Sequence, residues 1–234
     1  MRICHYIASL TVHNGGLTAH VVDLALMTAR LGCEVTVVVK TLEDAPETIT
    51  GVDGLRVVEL GPPAGLGPLL SKAQLNRAIE LLQASDVAHL HSAWDPVNEQ
   101  IARRLRPAGH PYVVTPHGML DEWCLAQKPL KKRVFLEHCG RRTLAGAARV
   151  LCCADGERLQ SERWFGGAPS EVVPAAMDLS LYRDLPGPDE AAASVPGAEG
   201  DGPLVLFLSR IDPKKTLETL IHAMALLAAQ GAPV

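Results

Sequence analysis

The sequence predicts an α/β protein built on a doubly wound parallel sheet. Three observations carry that expectation. Short apolar runs alternate with segments of helical periodicity along most of the chain. The runs are apolar throughout, as strands buried on both faces of a parallel sheet tend to be. Glycines and polar residues gather where runs end and helices begin, which is where such sheets bind ligands.

The first run spans residues 2–8, and the β-branched segment 34–39 is the second. Between them Leu17, Val21, Leu24, Ala25, Thr28 and Leu31 share one helical face. Asp23 and Arg30 fall elsewhere, and Gly32 is a helix stop. Further strands are expected at 55–60, 86–91, 112–115, 149–153 and 171–173, with helices at 71–84, 95–106, 129–145 and 156–165. Residues 183–203 turn rich in Pro, Gly, Ala and acid and read as a linker. A strand is then expected at 204–208. Leu217, Leu220, Ile221, Met224, Leu227 and Ala228 mark one face of a helix. The expected organisation is a Rossmann-like domain over 1–182, a linker over 183–203, and the first strand and helix of a second domain over 204–234. One strand and one helix cannot bury their own apolar faces, so the second domain reads as incomplete.

Composition narrows the class. Of 234 residues, 47% are hydrophobic and 21% charged, as in soluble globular proteins. Aromatics make up only 4%, so Leu, Val and Ala must build the core. A net charge of −4 speaks against bulk binding of nucleic acid. The six cysteines are scattered, with no CxxC spacing, and read as small buried thiols of a reducing compartment. The N-terminus has no signal-peptide pattern, and no run of about 18 apolar residues could span a membrane. The expected location is the cytoplasm.

Several segments could carry chemistry. The turn Thr11-Val12-His13-Asn14-Gly15-Gly16 lies between a strand and a helix, where Gly15 and Gly16 let the backbone approach an anion such as a diphosphate. A dinucleotide site would want a third glycine and an acid ending the second strand. That strand ends at Lys40, so a dehydrogenase is disfavoured. His89 and His91 alternate onto one face at a strand end. They could line a cleft, hydrogen-bond locally or ligate a metal, but no cysteine or carboxylate pattern completes a metal site. His117 precedes Gly118 at the end of the next strand, where its imidazole can donate to a sugar hydroxyl or cap the strand. Lys131, Lys132 and Arg133 lie in a basic, partly amphipathic stretch that could hold a phosphate-bearing acceptor or face anionic lipid at the inner face of the membrane, and could equally be a solvated helix face. Arg210 and Lys215 flank another strand-to-helix turn, where two cations can neutralise a leaving diphosphate.

Together these motifs resemble the family-four retaining glycosyltransferases of the GT-B fold, in order and over nearly the whole chain. The Gly15-Gly16 turn is similar to the family's glycine loop against the donor phosphates. Thr115-Pro116-His117-Gly118-Met119-Leu120 resembles the segment whose histidine lies near the transferred sugar. Trp123 to Arg133 is similar to a subgroup acting in bacterial surface-polysaccharide assembly. Val173-Pro174-Ala175-Ala176-Met177-Asp178 stands where the family shows V-P-N-G-V-D, and Arg210 and Lys215 match its diphosphate-binding pair. Two departures stand out: Ala175 and Ala176 replace Asn-Gly, and Thr216 stands where glycine commonly follows the lysine.

The resemblance implies transfer of a sugar from a nucleoside diphosphate sugar to a saccharide or lipid-linked acceptor, with retention. It implies no metal and no cofactor beyond the donor substrate. It also implies a glutamate pair for ribose and sugar beyond residue 234, so this chain is expected to be weakly active or inactive alone. The alternatives are a sugar-nucleotide epimerase or phosphorylase of the same fold, and a non-catalytic remnant or binding module.

Overall fold

The computed structural model describes residues 1–42, 44–62, 67–187, 190, 193–195 and 205–231. The chain divides into two compact units, Met1–Asp178 and Leu179–Val234.

The first unit is a sheet of seven strands: β1 Arg2–Ser9, β2 Glu34–Thr41, β3 Leu55–Glu59, β4 Val87–His91, β5 Tyr112–Thr115, β6 Arg149–Cys152 and β7 Ser170–Val172. Their order is β3-β2-β1-β4-β5-β6-β7, and every pairing is parallel. The main helices are α1 Gly16–Arg30, α2 Lys72–Gln83, α3 Pro96–Leu105, α4 Glu122–Ala126, α5 Pro129–Phe135, α6 Arg141–Ala145 and α7 Asp155–Ser161. Each predicted strand of this unit is present within a residue or two. The helix expected over 129–145 is interrupted by a π-helical turn at Leu136–Gly140, and α4 was not anticipated.

The two faces of the sheet bury different residues. Cys4, Tyr6, Ala88, Leu90, Tyr112 and Val114 pack with Ala78, Ile79 and Leu82 of α2 and Val97, Ile101 and Leu105 of α3. On the other face Ile7, Val35, Val37 and Val39 meet Val21, Val22, Ala25, Leu26 and Ala29 of α1. Each fully buried aliphatic side chain contributes about 1.5–3 kcal/mol of transfer free energy. Helix ends are closed by local chemistry. Ser71 and Gln74 form a capping box on α2, Asp95 caps α3 with Pro96 at its first position, and Gly32 takes a left-handed turn after α1.

None of the six cysteines is joined in a disulfide. Only Cys4 and Cys152 are buried, and the other four are half-buried, which corrects the expectation that all are interior.

In the second unit, α8 Leu217–Ala229 forms as expected. The strand expected at 204–208 does not: Leu204 lies outside the described residues, and 205–208 carry no ladder. A strand persists by pairing, and the described residues of this unit contain no other strand to pair with. Leu206 and Leu208 are accordingly 68% and 89% exposed. The expected linker 183–203 is described at 183–187, 190 and 193–195 only.

Candidate functional site

Strand order reverses between β1 and β4, and ligands of open α/β sheets bind beside the carboxyl ends of the strands at such a reversal. Three segments converge there: the Thr11–Gly16 turn after β1, His91–Ser92 after β4, and His117–Gly118 after β5.

The first turn is built around Gly15, whose backbone sits at φ +56°, ψ −127°. Few residues other than glycine adopt that conformation without strain. A short 3₁₀ turn over Val12–Asn14 leads into it, Gly15 N donates to Val12 O at 2.9 Å, and Thr18 Oγ1 donates to Thr11 O at 2.8 Å. Thr11 Oγ1 also donates to the Asp44 carboxylate. A Cβ added at Gly15 or Gly16 would meet nothing within 4 Å, so open space faces this backbone. Gly15→Ala is therefore expected to cost roughly 2 kcal/mol in backbone strain alone. Gly16→Ala, inside the helix, should be neutral or stabilise by about 0.5–1 kcal/mol. Urea unfolding of the two variants checks this, and equal costs would contradict the backbone assignment.

His117 and Gly118 are both left-handed, at φ +57° and +67°. The turn they make is clamped by Glu157 of α7, whose carboxylate accepts from Gly118 N at 2.6 Å and from Cys153 N at 2.7 Å. Ser92, also at positive φ, closes β4, and Asn98 Nδ2 donates to the carbonyls of His91 and Ser92 at 3.0 and 2.8 Å.

Between these turns lies a cluster of imidazoles on the α1 side of the sheet. His5 on β1 pairs in register with His89 on β4, and His91 follows two residues on. His5 Nδ1 is 3.0 Å from His91 Nε2, and His91 Nδ1 is 3.0 Å from His117 Nε2. His89 Nε2 meets Thr115 Oγ1 at 2.8 Å. His20 of α1 stands edge-on to His117, with ring centroids 4.8 Å apart. Burial, then the neighbouring His20, lowers His5 to about 4 and His117 to about 3. His89 and His91 lie well below the usual histidine range for the same first reason, burial, followed by the other imidazoles. The cluster is therefore neutral at pH 7. So weak a base as His117 suits hydrogen bonding better than proton abstraction.

Two groups have metal-compatible spacing among the described residues: His5, His89 and His91, and His20, His117 and Cys153, each with ligand atoms within 4.8 Å of one another. In the first, hydrogen bonds already engage His5 Nδ1, His89 Nε2 and both nitrogens of His91, and the set holds no anionic ligand for a buried dication. The second, with one thiol, could supply three ligands to a soft ion.

The basic residues divide. Lys132 turns inward: its ammonium donates to Cys124 O and lies 5.2 Å from the centre of the Trp94 ring. Lys131 and Arg133 are exposed. Trp94, Lys128, Lys131, Lys132 and Phe135 line a cavity of about 220 Å³. Cys124 connects it to the His117 turn, since Cys124 Sγ lies 3.5 Å from Gly118 O. A larger cavity, about 380 Å³, lies at the amino ends of β1, β2 and β3, the opposite edge from the site.

In the second unit, Arg210 is exposed, and Lys215 ends a 3₁₀ turn over Pro213–Lys215 capped by Asp212. Thr216 follows at φ +51°. A β-branched residue there is a backbone outlier, and a glycine would not be. Ala175 and Ala176, by contrast, are not among the positive-φ residues, so no glycine is needed in that turn.

Sequence reasoning picked out Gly15, Gly16, His89, His91 and His117, which the fold brings to one edge of the sheet. It missed His5, His20 and Glu157. His5 is a polar residue inside an otherwise apolar run, which was the available signal.

Residues 15–176 match the family model described as Glycosyl transferase 4-like domain. The chain is similar to D-inositol 3-phosphate glycosyltransferase of Kineococcus radiotolerans, 28% identical over 225 residues, with 90% of this chain and 52% of that protein covered. It is similar to the protein of the same name in Frankia alni, 30% identical over 231 residues, covering 90% and 55%. The chain thus spans about half the length of the curated relatives it matches. In fold it is similar to sucrose-phosphate synthase from Thermosynechococcus elongatus, with a TM-score of 0.65, 21% identity, and 97% of this chain and 60% of that one covered.

Proposed function

Because the chain belongs to the glycosyl transferase 4-like family, we propose that it serves the transfer of a sugar from a nucleoside diphosphate sugar to an acceptor hydroxyl, with retention. The observation that carries the reading is the left-handed His117–Gly118 turn at the carboxyl end of β5, on the same sheet edge as the left-handed Gly15 turn after β1. Gly15 and Gly16 offer an open backbone to the donor's phosphates. His117 donates a hydrogen bond to the sugar. Arg210 and Lys215 of the second unit are proposed separately as cations able to neutralise a diphosphate, on which negative charge accumulates as a sugar–phosphate bond breaks. The nucleotide sugar is a substrate consumed in the reaction, and the proposed contacts call on no cofactor besides it.

The acceptor is a saccharide or a lipid-linked saccharide carrying an anionic group. The cavity beside Trp94 supports this, with Lys128, Lys131 and Lys132 as counter-charges. The curated relatives described above are named for inositol 3-phosphate, which is also an anionic polyol. Among the described residues no helix is long and apolar enough to cross a membrane. Lys131 and Arg133, exposed, supply a contact with an anionic lipid surface on the cytoplasmic side.

Calorimetric titration with UDP, UDP-glucose and GDP-mannose tests the donor contacts. Binding of one nucleotide sugar is expected, weakened at least tenfold (about 1.4 kcal/mol) by His117→Ala. No binding at millimolar ligand would remove these residues from the donor site. Nucleoside diphosphate release that needs no acceptor, or an epimerised donor, would move the reading to the epimerase class.

A further inference from the structure

Three imidazoles form one hydrogen-bonded row. His5 meets His91, and His91 meets His117, each through a 3.0 Å nitrogen–nitrogen contact. His5 and His91 are 1% and 0% exposed, while His117 is only half-buried. His89 stands outside the row, held by Thr115.

Each contact needs one proton, and a neutral imidazole carries only one. The row therefore has two self-consistent senses. In the outward sense His5 donates from Nδ1 to His91, His91 donates from Nδ1 to His117, and His117 keeps its own proton on Nδ1. In the inward sense every proton sits on Nε2, and the row ends on His5 Nε2–H. His5 Nε2 is buried and has no partner among the described residues. An inward row would strand a donor in the interior. Orphaned buried N–H groups are rarer than under-satisfied acceptors, and each carries a full desolvation cost.

The geometry points to His91, backed by His5, as the positioning residue that holds His117 in its Nδ1–H tautomer. His117 then presents a fixed donor to whatever occupies the cleft. Its one lone pair, on Nε2, is already engaged by His91, so His117 is matched to a sugar or phosphate oxygen that accepts. It is mismatched to a hydroxyl that must give up its proton. The assignment of the row stands on geometry alone; its use on a sugar or phosphate oxygen rests on the functional reading above.

The test needs no ligand. The chain is isotope-labelled in its histidine rings, and long-range proton–nitrogen correlation spectra are recorded at neutral pH. His5, His91 and His117 are all expected in the Nδ1–H form. A free imidazole prefers the Nε2–H form, so this result does not arise by default. An Nε2–H His117, or averaging between the two forms, overturns the inference. In His91→Phe the donor to His117 is gone, and His117 should swing mainly to Nε2–H. A His117 that stays Nδ1–H in that variant overturns the inference as well. The unsubstituted chain decides the sense by itself, so a variant that fails to fold does not shelter the idea. Failure of nucleotide sugars to bind would leave the tautomer result standing, and the reverse also holds.

Discussion

Lowering the pH from 6.5 to 5 is expected to destabilise the first unit, His5 alone contributing roughly 1.5 kcal/mol and His89 and His91 adding in the same direction. The cause is the imidazole cluster. His5, His89 and His91 are at most 4% exposed, and burial depresses all three, His5 to about 4. An unfolded histidine titrates near pH 6.5, by general values of about that size. Below that pH the unfolded chain takes up protons that the folded chain refuses. The stability is therefore fully present above about pH 6.5 and is lost as pH falls toward the folded-state values. His5, with a folded value near 4, approaches a slope of ~1.4 kcal/mol per pH unit toward the lower end of that window, and His89 and His91 steepen it. Against total stabilities of about 5–15 kcal/mol such a loss is a sizeable fraction. Asp95 works the other way: burial raises its carboxyl, so its protonation favours the folded state as pH falls. One partly opposing carboxyl does not offset three histidines. Urea unfolding at a series of pH values reads the effect. A flat stability between pH 7 and pH 5 would mean the cluster is not buried and neutral. His89→Gln, which can still hydrogen-bond Thr115, should lower the slope by about one ring's share.

Glu99→Ala should cost about 3 kcal/mol, toward the lower end of the range for breaking a buried ion pair. Glu99 sits on the inner side of α3, 4% exposed. Its carboxylate accepts from Arg103 Nε at 2.9 Å, from both terminal nitrogens of Arg106 at 3.1 and 3.3 Å, and from Thr143 Oγ1 at 2.9 Å. Those bonds tie α3 to α6. Arg106 also donates to Arg142 O at 3.0 Å, and Tyr112 OH donates to Thr143 O at 2.8 Å. Removing Glu99 takes the carboxylate from a partly buried guanidinium and a buried hydroxyl, leaving Arg106 with Arg142 O and Thr143 Oγ1 with Cys139 O at 3.2 Å. Arg103 and Arg106 remain 59% and 29% exposed and recover some hydration, which is why the figure is not larger. Denaturant unfolding with an unchanged slope should show the loss. A change under about 1 kcal/mol would make the network a surface feature of little energetic consequence.

Much of the fold was legible because a parallel sheet writes itself into the chain as apolar runs. The runs in 2–8, 34–39 and 112–115 fit strands buried on both faces, and their β-branched content and short length favoured strand over buried helix. The second unit shows the limit of that reasoning. Residues 205–208 look like a strand by composition, but pairing is a property of two segments, and composition describes one.

The site divides along the same line. Gly15, Gly16 and His117 could be found because turn chemistry is local: a glycine before a helix, a histidine after a strand. His89 and His91 could be placed on one face because strand alternation is local too. That His5 stands opposite His89 follows from the register between β1 and β4, 84 residues apart in sequence. That Glu157 holds the His117 turn follows from where α7 lands. The sequence by itself determined the strands and main helices of the first unit, their alternation, the family resemblance and the ends of strands where chemistry belongs, since all of these rest on neighbours in the chain. The tertiary structure alone decided which imidazoles touch, what their burial does to their protonation, and which basic side chain folds inward onto Trp94. Those depend on distances and desolvation created by packing segments far apart in the chain, and no local pattern encodes them.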